Sequence, residues 1–281
     1  MKLDVNGQSA HVYTGGKPFD PALPCVVFIH GALHDHSVWT LLSRWCAHHG
    51  YGVLALDLPG HGQSAGPVLP SVEATADWLL ALLAAAGVQR DGQVTLVGHS
   101  MGSLIGLEAA ARQPALIGRL VMVGTAYPMK VSDALLTTAR DAPLKAIDMV
   151  NAFSISTLAA KPSYPGPGMW LHGSNRVLMR RSLSGPNATG CAVNLFHHDF
   201  SVCDAYTGGL DAAAKVTAKV TMALGHFDQM TPSRATRDIA AALKAKIVML
   251  PSGHSLMAEA PDELLAIVAE MLAELRPRLV A

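Results

Sequence analysis

LVGHSMGSLIG, residues 96–106, carries a serine with glycine two positions before it and two positions after it. A β-branched, apolar run leads into the serine, and a run of small, helix-forming residues leads out. Gly98-His99-Ser100-Met101-Gly102 therefore has the pattern G-x-S-x-G with a strand before it and a helix after it. A serine at such a corner takes a strained backbone conformation, and a Cβ two residues to either side would crowd the turn. A glycine-rich turn is the bland alternative, and in a chain with 25 glycines the pentapeptide alone decides nothing. Its flanks decide for the elbow. The helix start also aims backbone N–H groups at the corner, where they can stabilise developing negative charge.

Outward from this stretch the same alternation repeats. CVVFIHG (25–31), YGVLALDLPGHG (51–62), RLVMVGT (119–125), KVTAKVTMALGHFD (215–228) and KIVMLP (246–251) are short apolar runs, several closed by glycine or proline. Such runs fit strands buried on both faces of a parallel sheet. Between them lie helical patterns over 36–48, 72–86 and 102–112, then 233–243 and a last helix after Pro261. Ser71 is placed to cap one of these and Gly87 to end it. The first 13 residues read as a hairpin turning at Asn6-Gly7, a pair that suits the positive φ of a type I′ turn. The prediction is an α/β fold with a mostly parallel sheet and helices on both faces. From 126 to 206 no strand belongs to the sheet. Helix-like pieces are followed by KPSYPGPGMWLHGSN (161–175), read as a loop. The expected organisation is a core of 1–125 and 207–281 with a helical lid inserted at 126–206.

Composition bounds the partners. The chain has 281 residues, 21 basic and 21 acidic, so no basic footprint for nucleic acid is present. No signal-peptide pattern opens the sequence. The most apolar stretch, 78–88, falls short of the roughly 20 residues needed to span a bilayer. The expectation is a cytoplasmic monomer or homodimer with no membrane partner. Cys25, Cys46, Cys191 and Cys203 show no C-x-x-C spacing and read as reduced, buried thiols.

A serine needs a base to become a nucleophile, and the base needs an orienting carboxylate. In a parallel α/β sheet these side chains belong at the C-terminal ends of strands. His254 follows KIVMLP, and Asp228 ends the run into GHFD. The chain order Ser, Asp, His is one that such a fold uses. A loop histidine and a capping aspartate are the bland readings. The other position for an acid, just after RLVMVGT, offers only Ala126 and Tyr127, which strengthens Asp228.

HGALHDHSVW (30–39), DLPGHGQS (57–64), GHSMG (98–102), and GHFDQMTP with GHSLMAEAPDE near the end together resemble the α/β-hydrolase superfamily, of the lid-bearing serine esterase and lipase type. These motifs span nearly the whole chain and are specific for the fold, but not for a substrate. The resemblance implies Ser100, Asp228 and His254 as a catalytic triad. It also implies an oxyanion hole from the backbone N–H groups of Ala32 and Met101, and no cofactor. The expected reaction is hydrolysis of a small, largely apolar carboxylic ester through an acyl-enzyme. Lactone, thioester, amide, perhydrolysis or carbon–carbon chemistry on the same triad is the alternative, as is a ligand-binding protein without turnover.

Other clusters are set aside. His30, His34 and His36 with Asp35 have no zinc spacing, and His197-His198-Asp199 is treated likewise, although its lid position allows substrate contact. Asp57 and His61 are expected to hold the turns of their glycine loop. Met129, Met149, Met169 and Met179 with Phe153, Tyr164 and Trp170 are expected to form an apolar underside to the lid.

Overall fold

The computed structural model describes residues 1–156, 167–184 and 193–275, with the backbone alone at 167–170 and 184. Cys191 and Tyr164 lie outside the described residues, as do the side chains of Met169 and Trp170.

The chain opens with the hairpin β1 (Lys2–Val5) and β2 (Gln8–Tyr13). Asn6 at φ +55° and Gly7 at φ +79° make its turn, and Val5 pairs with Gln8 across it. Then follow β3 (Cys25–Ile29), α1 (Thr40–His48), β4 (Gly52–Leu56), α2 (Val72–Ala85), β5 (Val94–His99), α3 (Met101–Arg112) and β6 (Ile117–Val123). Next come α4 (Asp133–Asp141), α5 (Pro143–Ser154), α6 (Pro167–Ser184), α7 (Leu195–Ala205) and α8 (Gly209–Ala213). The chain then forms β7 (Lys219–Gly225), α9 (Arg237–Leu243), β8 (Lys246–Leu250), α10 (Leu256–Glu259) and α11 (Pro261–Ala273). The strands form one eight-stranded sheet in the order β1-β2-β4-β3-β5-β6-β7-β8. Only the two N-terminal strands run antiparallel to their neighbours; β3 to β8 are parallel. That is the sheet the apolar runs predict.

Every residue of β3, β4 and β5 is buried, because helices cover both faces. On one side α2 and α3 pack Leu79, Leu82, Leu83, Leu104 and Leu107 against the sheet. On the other, α1 and α11 bring Leu42, Cys46, Leu264, Val268 and Leu272. Each such side chain contributes about 1.5–3 kcal/mol of burial. Ser71 caps α2 by accepting from Ala74 N at 3.1 Å, and Gly87 at φ +77° ends the segment as expected. Gly106 lets α3 lie close on the sheet: a Cβ there would stand 3.1 Å from Leu120 Cδ1. Cys25, Cys46 and Cys203 are buried free thiols.

Between β6 and β7 the described residues from Asp133 to Ala213 form helices and no strand. The loop expected over 161–175 is a correction: α6 starts at Pro167. Proline fits the first helical turn, where its missing N–H costs nothing. Gly173 meets no atom that a Cβ would clash with, so its glycine is a propensity penalty and no packing demand. Tertiary contacts outweigh that penalty. Met179 is buried beside α5, Arg176 pairs with Asp148 at 2.8 Å, and Asn175 Nδ2 donates to Asn151 at 3.0 Å. No described helix is long and apolar enough to cross a membrane.

Candidate active site

Ser100 stands between the last residue of β5 and the first of α3, at φ +51°, ψ −119°. Positive φ is rare for a residue with a side chain, and here the surroundings impose it. Ser100 N donates to Val123 O at 2.9 Å, and Ser100 O accepts from Ser103 N at 2.9 Å and from the Ser103 hydroxyl at 2.6 Å. The flanking glycines are required by contact. A Cβ on Gly98 would lie 2.2 Å from Gly102 O, and one on Gly102 would lie 2.4 Å from Ile29 O.

His254 comes from the loop between β8 and α10, and Asp228 from the loop after β7. Parallel β7 and β8, in register from Thr221↔Lys246 to Gly225↔Leu250, carry both loops to the same end of the sheet. His254 Nδ1 lies 2.8 Å from Asp228 Oδ2. The other carboxylate oxygen accepts from Met230 N and Thr231 N, both at 2.8 Å. Thr231 Oγ1 donates to Oδ2 at 2.6 Å. Burial opposes ionisation of Asp228, but His254 and the Thr231 bonds outweigh it and hold the carboxyl well below the usual carboxylate range. An ionised Asp228 only accepts, so the network assigns the proton to His254 Nδ1 and leaves Nε2 as the basic nitrogen. The His254 backbone N–H donates to Ser154 O at 2.6 Å, tying the loop to α5.

Ala32, Ser100 and His254 together line a cavity of about 710 Å³. The same three residues line a second cavity of about 290 Å³. Val150, Phe200 and Met230 border both. The structure thus brings Ser100, Asp228, His254 and Ala32 to one place. Met101 follows Ser100 directly as the first residue of α3, and its side chain is buried away from both cavities. Of the expected apolar residues, Met129, Met149 and Phe153 line the smaller cavity and Met179 the larger.

His99 packs beside this centre. Its ring lies 4.7 Å from that of His254, and its Nε2 donates to His254 O at 2.9 Å. Burial pushes His99 well below its ordinary value and keeps it neutral. The set-aside clusters act as loop clamps. Asp57 Oδ1 accepts from His36 N at 2.8 Å and lies 2.7 Å from His36 Nδ1, while Oδ2 accepts from Gln63 N at 2.9 Å. His11, His36 and Asp57 form the one group among the described residues with ligand atoms close enough for a metal ion. Its carboxylate is already occupied by these bonds.

Three contributors were not legible. Thr231 follows Asp228 by three residues, a spacing that signals only a turn. Ser154 acts through its carbonyl, which leaves no trace in residue type. Asp199 is buried against the loop after β3, and its neighbours in sequence point only to a polar helix face.

A parallel sheet with a positive-φ serine between strand and helix, and an acid and a histidine at later strand ends, defines the α/β-hydrolase class of fold. Residues 26–267 match the model of the alpha/beta hydrolase family, and the chain belongs to that family. Among curated relatives, it is 31% identical over 123 residues to the (E)-2-((N-methylformamido)methylene)succinate hydrolase of Acinetobacter baylyi, covering 43% of each protein. It is 34% identical over 136 residues to Lipase LipV of Mycobacterium tuberculosis, covering 46% of this chain and 48% of the relative. The alignments span less than half the length of these relatives. The enol-lactonase from Burkholderia xenovorans LB400 superposes with a TM-score of 0.80 at 21% identity, over 97% of this chain and all of that one, a likeness of fold.

Proposed function

We propose that the protein is a serine hydrolase that cleaves a carboxylic ester of a small, largely apolar substrate through an acyl-enzyme. The observation that carries this reading is the convergence on shared cavities of the positive-φ Ser100 and of His254 with Asp228 at its Nδ1. Ser100 Oγ attacks the acyl carbonyl carbon while His254 Nε2 takes its proton. The oxyanion draws on the N–H groups of Ala32 and Met101. Collapse breaks the bond to the alkoxide, which leaves with the proton from His254. Water then repeats the sequence on the acyl-enzyme, releasing the acid and restoring Ser100. Asp228 keeps the imidazole in the required tautomer and stabilises the imidazolium.

Two cavities meeting at Ser100 suit the acyl and alcohol halves of one ester, with the inserted helices at 126–206 as the lid over both. A lipase, a hydrolase of a succinate derivative and an enol-lactonase are named among the similar proteins, and all these names fit acyl transfer to water. The test is active-site labelling with a fluorophosphonate, together with turnover of p-nitrophenyl esters of graded chain length. Wild type is expected to label stoichiometrically and Ser100→Ala to lose both labelling and turnover, the latter by on the order of 10⁶. An unlabelled wild type favours a ligand-binding protein, and near-normal turnover by Ser100→Ala removes the nucleophile assignment.

A further inference from the structure

The helical block touches the loop that carries Ala32 at several points, and one of them is a buried carboxylate. Asp199 on α7 is 1% exposed, and its Oδ2 accepts from Leu33 N at 2.8 Å. Leu33 holds φ +54°, a conformation branched side chains rarely adopt, so something must hold it there. The carbonyl of the same peptide, Ala32 O, accepts from His34 Nδ1 at 2.7 Å. On the other side of Ala32, Gly31 O accepts from His30 Nδ1 at 2.8 Å. Both peptides that flank the Ala32 α-carbon are therefore anchored; Asp199 is the direct anchor from the helical block, and Asn175 of α6 supports His34 at 2.9 Å.

Asp199 is itself held by charge. His61 Nε2 lies 2.9 Å from Asp199 Oδ2, and His61 Nδ1 lies 3.0 Å from Pro59 O. A carbonyl and an ionised carboxylate only accept, so this pair of contacts favours a proton on each ring nitrogen and an imidazolium at His61. The groups facing it agree with that assignment. His30, with ring centroids 5.2 Å apart, donates from Nδ1 and accepts Leu58 N at Nε2 (3.1 Å), which makes it neutral. Burial and the His61 charge push His30 down to about 4. Asp57 adds negative charge near His61, and His198 Nδ1 lies 3.1 Å from the second oxygen of Asp199. Burial works against the His61 charge, but Asp199 outweighs it and raises His61 above its ordinary value. Asp199 in turn is held far below the usual carboxylate range.

We propose that Asp199, paired with a cationic His61, is a positioning residue for the oxyanion hole, so that seating α7 and orienting the Ala32 N–H are one event. The role rests on the reading of Ala32 as an oxyanion donor. It makes a specific demand: loss of the carboxylate must harm the tetrahedral state more than the ground state.

The experiment compares wild type, Asp199→Asn and Asp199→Ala for kcat, KM and the inhibition constant of an aryl trifluoromethyl ketone, whose adduct with Ser100 places an oxyanion in the hole. Removing a single oxyanion donor costs about 10²–10³ in kcat, so misorienting one is expected to cost about 10–100-fold. The ketone should weaken by a similar factor while KM stays within about threefold. Equal losses in KM and ketone affinity, or an unchanged kcat, overturn the proposal. Nitrogen-15 NMR of the histidine rings reads the pair without catalysis, which covers a variant that fails to fold. Wild type is expected to show His61 protonated on both nitrogens at pH 7, and a neutral ring there overturns the pair. If wild type fails to label with fluorophosphonate, the hydrolase reading falls and the oxyanion role with it, whatever the ring spectrum shows.

Discussion

His254 Nδ1 and Asp228 Oδ2 lie 2.8 Å apart although 26 residues separate them, because adjacent parallel strands deliver both to one edge of the sheet. Thr231 adds a hydroxyl to the same oxygen at 2.6 Å, so the carboxylate is fixed in position as well as in charge. An amide at 228 would keep the shape and lose the charge. Asp228→Asn is therefore expected to lower kcat on the order of 10³–10⁴ with KM within about threefold, since the imidazole is then free to adopt the wrong tautomer. Steady-state kinetics on one p-nitrophenyl ester checks this; an unchanged kcat would remove Asp228 from the reaction.

The elbow makes a prediction about stability. Gly98→Ala puts a methyl group 2.2 Å from Gly102 O, a backbone atom that cannot rotate away. Overpacking of this kind costs about 1–3 kcal/mol, and α3 must shift to relieve it. The variant should melt earlier by several degrees and label poorly with fluorophosphonate even where it is folded. Gly173→Ala is the control: nothing lies within contact of the added methyl, so its melting point should hold or rise.

Substrate preference is expected to change at the junction of the two cavities. Met230 borders both, together with Val150 and Phe200. Met230→Trp fills that junction while leaving the Met230 N–H to Asp228. The kcat/KM for a bulky or long-chain ester should fall at least about tenfold more than for an acetate, on the scale of one misplaced pocket group. A uniform loss across chain lengths would show that the cavities do not bind the two halves of the ester.

Asp35 ties the loop after β3 to α6. It accepts from Ser37 N at 2.8 Å and pairs with Arg181 at 2.5 Å. Burial raises its pKa, but the Ser37 bonds and Arg181 prevail and bring it down to about 2. A depressed carboxylate stabilises the fold above its unfolded value of 3.8 and loses that contribution as pH falls toward 2. Arg181 is 60% exposed, so solvent screens part of the pair and the net contribution is about 1–2 kcal/mol. Asp35→Asn should be less stable than wild type by that amount at pH 7, with the gap closing between pH 4 and 2. Urea titrations across that range measure it, and a gap that widens toward low pH would contradict the assignment.

Much of the core was legible from residue order because its causes are local. Apolar runs of strand length, the Asn6-Gly7 pair and the cap at Ser71 need only near neighbours to be read. The elbow belongs with them in part: Gly98 is set by the turn around Ser100, whereas Gly102 is set by the approach of β3, whose Ile29 O would lie 2.4 Å from a Cβ there. The candidate residues Asp228 and His254 could be named because strand ends converge in a parallel sheet, although only the folded chain places their atoms in contact.

The inserted block was different. Proline and glycine over 161–175 argue for a loop, yet a helix runs from Pro167, held by Met179, Asn175 and Arg176 against α5. Propensity differences of about 1 kcal/mol are smaller than what such packing supplies. Asp199 teaches the same lesson. From sequence it is one acid beside two histidines on a helix, and its burial against Leu33 N and His61 depends on how the chain folds back across sequence separations of 166 and 138. The sequence alone determined the alternation of strands and helices and the corner at Ser100, since periodicity and the spacing of glycines dictate them. The shape of the cavities and the anchoring of the Ala32 loop were decided only in three dimensions, by contacts between segments with no local signature.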